Sequence, residues 1–167
     1  MRQFLLITIL LSAIYSCGQK NQNTNDYPEN VGDIAFDRSL DDPSFKVCNE
    51  KQIPQYYNFG GLRFKGEKPK IVEHFKNFKE INTPGETGFI TIRFIVNCEG
   101  KSGRFRIQEM DNDYRTKSFR NEIRDQLLAL TKSLDGWIIA RNEAHNFDYY
   151  QYLTFKIEDG KLIEIMP

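Results

Sequence analysis

Cysteines, histidines and carboxylates are the side chains able to do covalent, acid–base or metal chemistry, and this chain of 167 residues has three Cys and two His. His74 falls on a Lys-rich helical stretch, where a solvated surface residue is expected. His145 sits in Glu143-Ala144-His145-Asn146 with no second ligand at metal spacing. A zinc site takes three or four ligands, so no metal site is expected. Cys98 beside Glu99 has the outline of a thiol with a neighbouring base. A reactive thiolate wants a His or a helix N-terminus beside it, and a turn between strands supplies neither. Gly60-Gly61 lacks the Lys-Ser/Thr that completes a phosphate loop. Asp41-Asp42 reads as a solvated pair, and Lys65, Lys68, Lys70, Lys76 and Lys79 read as a solvated face. No catalytic residue and no cofactor is expected, and the protein is not expected to be an enzyme. Tyr56, Tyr57, Tyr149, Tyr150 and Tyr152 remain. Aromatics of this kind make a peptide- or glycan-binding surface, or else fill a core and pair across strands.

The N-terminus speaks about location. Arg2 is followed by an apolar run over residues 4–15 (FLLITILLSAIY). It is short for a permanent membrane span and suits the core of a signal peptide. It ends at Ile14-Tyr15-Ser16-Cys17, which resembles a bacterial lipoprotein signal, although Ile and Tyr replace more usual residues. The resemblance implies cleavage before Cys17 and a diacylglyceryl anchor on its thiol, so that 1–16 is signal and the mature protein sits on a membrane. Gly18 rather than Asp follows the cysteine, and no acidic cluster comes next. The expected place is therefore the periplasmic side of the outer membrane. In such a compartment the remaining pair, Cys48 and Cys98, is a disulfide candidate; two buried free thiols are the alternative. The 23 basic and 23 acidic residues leave no basic field, which argues against nucleic acid as a partner.

Residues 17–44 are polar and read as a flexible tether, with Val31, Ile34, Phe36 and Leu40 as its few apolar side chains. A single domain is expected over 45–167. Its centre is 88–107 (GFITIRFIVNCEGKSGRFRI), two alternating runs broken by Asn97-Cys98-Glu99-Gly100, which reads as a β-hairpin. Ile90, Ile92, Phe94 and Val96 share one face. Ahead of it, Pro69 suits the first residue of a helix, with Ile71, Val72, Phe75 and Phe78 inward, ending before Asn82-Thr83-Pro84. After it, Ser118 is an expected N-cap. Phe119, Ile123, Leu127, Leu130 and Leu134 then recur at steps of four, four, three and four, a single apolar helix stripe. Trp137, Ile138 and Ile139 follow as a core plug. Residues 149–158 (YYQYLTFKIE) alternate with Leu153, Phe155 and Ile157 inward. A turn at Asp159-Gly160 allows a short last strand over 162–166. The fold class is α+β: an antiparallel sheet of three to four strands with two helices on one face.

The order and punctuation resemble the C-terminal domain of TonB-like proteins. The residues that carry this are Phe94-Ile95-Val96-Asn97-Cys98-Glu99-Gly100, Trp137-Ile138-Ile139-Ala140 with Ile139 where the family has Pro, Tyr152-Leu153-Thr154-Phe155, and Phe59-Gly60-Gly61 upstream. The resemblance implies an exposed sheet edge that pairs with a short segment of an outer-membrane receptor by strand addition. It places that edge on 149–157, with Tyr150, Tyr152 and Thr154 as partner-binding residues. A cleavable-looking signal and a short tether do not suit an energy transducer driven from the inner membrane. The expected function is thus a non-enzymatic, lipid-anchored envelope protein that binds a protein partner, an outer-membrane receptor or complex. The alternative is a structural accessory subunit of an outer-membrane complex.

Overall fold

Alternation of apolar and polar residues dictates the central sheet, and the computed structural model, which describes residues 32–166, shows how it is covered. Strands β1 (Gly88–Val96) and β2 (Ser102–Met110) form the expected antiparallel hairpin. The Asn97 side chain holds its turn: Oδ1 accepts the N–H groups of Glu99 and Lys101. Among the described residues, a two-stranded ribbon follows, β3 (Ala140–Arg141) with β4 (Asn146–Phe147). Then come β5 (Tyr149–Glu158) and β6 (Lys161–Met166). The main sheet runs β2-β1-β5-β6, all antiparallel.

Helix α1 (Glu67–His74) and helix α2 (Asn121–Lys132) lie on one face of this sheet. Their stripes bury Ile71, Phe75, Ile123 and Leu127 against Ile90, Ile92, Phe94, Leu153 and Phe155. Burial on this scale contributes about 1.5–3 kcal/mol for each large side chain. Two helix expectations shift. α1 starts two residues before Pro69 and tightens into a 3-10 turn at Phe75–Asn77. Phe78 is then extended, which turns its ring into the core, while Val72 stays exposed. α2 is not capped by Ser118. The N–H groups just ahead of it are met by carboxylates, Glu109 for Phe119 and Glu86 for Arg120, a favourable charge near a helix N-terminus. Trp137 plugs the core edge as expected, 4.9 Å from the Phe64 ring and 5.1 Å from Phe94.

The opposite face of the sheet carries a feature the alternation does not announce. The docked chain begins at Ile34, not at residue 45. Residues 34–54 form an arm whose Ile34, Phe45, Val47 and Ile53 pack on Ile95 and Tyr150. Ile95 is fully buried for this reason, although it points away from the helices. Gly103 makes room: a Cβ there would stand 2.4 Å from the Phe45 ring. Two ion pairs fasten the arm, Arg106 with Asp41 and Arg104 with Glu50. The Arg106 fork meets both Asp41 oxygens at 2.7 Å. Cys17, the signal over 1–16 and the first part of the tether lie outside the described residues. Among those described, no helix is long and apolar enough to cross a membrane.

Candidate partner-binding edge

Among the cysteines, Cys48 and Cys98 are bonded, with Cα atoms 6.2 Å apart. Asp148, buried at the start of β5, doubles the link: its carboxylate accepts the N–H groups of Cys48 and Asn49 on one oxygen and of Cys98 on the other. The two sulfurs and this carboxylate lie within 4.8 Å of one another. The sulfurs bond each other and the carboxylate is taken by backbone, so the cluster is a clasp between arm and hairpin turn. His74 is not a purely solvated residue. Its Nε2 lies 3.1 Å from the Leu130 carbonyl and 3.0 Å from Ser133 Oγ, bridging α1 to the end of α2. His145 is exposed and rests 4.2 Å from the Phe147 ring.

The three residues expected to meet a partner are engaged within the fold. Tyr150 donates its N–H to the Pro54 carbonyl, and its phenol accepts the N–H of Ile34. Tyr152 shares a 3.2 Å phenol contact with Tyr56. That hydrogen bond, with burial, pushes the Tyr56 hydroxyl up to about 12. Thr154 Oγ1 lies 2.9 Å from Thr91 Oγ1 across the strands. The backbone of β5 pairs with β1 on one side; on the other it meets β6 from Thr154 to Glu158 and Gln55 at Tyr150. The tyrosine cluster is therefore mostly internal, apart from Tyr57. Tyr149 is fully buried, its phenol donating to the Ile138 carbonyl, and burial pushes its pKa well up.

The sheet ends are β2 and β6. The outer side of β2 is closed at one end by Met110 bridging Thr116 and by the Lys117 N–H on the Glu109 carbonyl. At its other end the Phe45 ring covers the arm-side face at Gly103. Among the described residues, no backbone pairs with the outer side of β6. Beside it runs a groove of about 350 Å³ between β6 and the α1 region. Val72, Phe75 and Phe78 form one wall, and Leu162, Ile163 and Ile165 the other. Val72 and Ile163 are both exposed, at 41% and 51%. The rim bears both signs of charge, with Lys68 and Glu164 3.8 Å apart in solvent, a contact worth little by itself. The sequence offered this strand as an addition to the sheet but did not mark it as the open edge. The signal was present in Lys161, Leu162, Ile163, Glu164, where polar residues flank an apolar pair at the last turn. A strand laid along β6 would gain backbone hydrogen bonds and set alternate side chains into the groove. No family model matches this chain, and no curated protein or solved structure matches it either.

Proposed function

We propose that this protein is a lipid-anchored domain of the cell envelope that has no enzymatic activity and holds a protein partner by strand addition. The occupant is an extended segment of another envelope protein, with apolar residues at alternate positions. The open outer side of β6 beside an apolar groove carries this reading. It is supported by the N-terminal resemblance to a lipoprotein signal and by the likeness of the strand and helix order to TonB C-terminal domains, where such an edge is used. The strand that receives the partner differs from the one the resemblance implied. β5 is paired on both sides over its C-terminal half, so the proposal moves to β6.

The test is site-specific photocrosslinking from position 163 in intact envelopes. The expected product joins this position to one extended stretch of a single envelope protein. Proline at the preceding position removes an outward N–H that this arrangement needs, so Leu162→Pro, with its circular dichroism unchanged, is expected to lose that partner from a pull-down. Retention of the same partner by the folded proline variant would overturn strand addition at β6.

A further inference from the structure

The outer side of β6 is chemically its own complement, and this follows from its register. Tyr150 turns its N–H away from β1, towards Pro54. Backbone direction alternates along a strand, so Thr154, Lys156 and Glu158 face β6. Their partners Met166, Glu164 and Lys161 face back towards β5. Lys161 and Glu164 are three positions apart, a spacing that would point them oppositely in a regular strand. A bulge resolves this: Lys156 opposes Glu164 while the next residue, Ile157, opposes Leu162, which leaves Ile163 as the inserted residue. Because C=O and N–H point oppositely across a trans peptide, the Leu162 N–H and the Ile163 carbonyl are left to face outward, and both residues line the groove.

We propose that β6 pairs antiparallel with β6 of a second copy of this chain, about a twofold axis between Leu162 and Ile163. The charges decide the occupant. In that register Leu162 stands opposite Ile163 of the second copy, and Ile163 opposite its Leu162. Lys161 stands opposite Glu164 of the second copy, and Glu164 opposite its Lys161. Cation, two apolar residues and anion, read in one direction, meet anion, two apolar residues and cation read in the other. The backbone directions agree as well. The Leu162 N–H donates to the Ile163 carbonyl of the second copy, and the second copy's Leu162 N–H donates to the Ile163 carbonyl, one hydrogen bond in each central pair; Lys161 and Glu164, whose backbone faces β5, fall in non-hydrogen-bonded pairs, where side chains approach most closely. Charges on an edge strand ordinarily discourage pairing; here the two-fold arrangement sets opposite signs together. The second copy's Ile163 enters the groove against Val72, so both exposed apolar residues are covered. Self-pairing closes the edge proposed above for a partner, and the two would compete. That consequence rests on the function proposed above; the pairing does not.

The experiment uses the full chain in non-ionic detergent, with sedimentation equilibrium over a concentration series. Wild type is expected to reach dimer mass. Lys161→Glu places Glu opposite Glu, and Glu164→Lys places Lys opposite Lys, so each alone is expected to stay monomeric. Mixed together, the two variants regain both Lys–Glu contacts and are expected to form heterodimers. Wild type that stays monomeric, single variants that dimerise like wild type, or a mixture that stays monomeric would each overturn the proposal. A second readout needs no variant. Carbodiimide coupling of a mixture of ¹⁴N- and ¹⁵N-labelled wild type is expected to join Lys161 of one label to Glu164 of the other, and absence of that mixed-label product counts against the pairing. Partner capture is read separately, by crosslinking from position 163, so either idea can fail alone.

Discussion

Asp148 does for the backbone what the disulfide does covalently. Its two oxygens hold three N–H groups from segments that lie 99–100 and 50 positions away. A charged acceptor used three times cannot be replaced by an amide, whose NH₂ would face one of the donors. Asp148→Asn is expected to cost about 2–3 kcal/mol, read as a lowered urea midpoint at unchanged slope. No pattern in the sequence singles this residue out, because its partners are backbone groups brought together by the fold. The cysteines were legible, since a pair left after Cys17, with the export that the N-terminal resemblance implies, suffices to suggest the bond. Tyr150, Tyr152 and Thr154 show the reverse. Their strand was legible, but each side chain satisfies a neighbour inside the domain.

At the scale of elements, the hairpin and α2 were readable because one periodic face meets one core. Of the arm, the attachment through Cys48 was readable, but its docking from Ile34 was not, because Ile34, Phe45, Val47 and Ile53 follow no period and dock as separate side chains. Its electrostatic fastening gives a pH test. The Arg106 guanidinium beside Asp41 holds that carboxyl below its ordinary value of 3.8. A carboxyl whose folded pKa is depressed contributes stability above its unfolded value and loses it as pH falls through the folded one. Amide protection over 34–47 is therefore expected to persist as pH falls towards 3.8 and to decline below it. In Arg106→Gln the carboxyl loses the main cause of its depression, so protection is expected to be lower from the outset and this decline to flatten. An unchanged profile in the variant would show that the apolar contacts alone hold the arm. The position of β6 was readable as a strand, whereas its unpaired outer side was not, because what lies beside a sheet edge is set by loops without periodicity.

For the molecule as a whole, the two faces of the sheet are stabilised differently. The helix side is a continuous apolar core. The arm side is a small apolar patch closed by ion pairs and one covalent bond. Removing that bond releases the 50-residue loop it closes, for which chain entropy predicts a loss of about 3–4 kcal/mol. Cys48→Ser/Cys98→Ser is expected to show that loss in a denaturant melt while keeping the helix-side packing, seen as unchanged Trp137 fluorescence in the native state. The same bond gives the domain a mechanical asymmetry. Under load applied at Ile34, the arm peels only as far as Cys48, paying out about 45–50 Å of chain at 3.3–3.6 Å per residue, before the covalent stop takes the strain. Load at the far end meets no such stop, and β6 unzips from β5 one hydrogen bond at a time. Held from its N-terminal side by the anchor proposed above, the domain would hang on a short leash with a hard limit, and tension on that leash would be delivered to the turn between β1 and β2 rather than to the edge where a partner would sit.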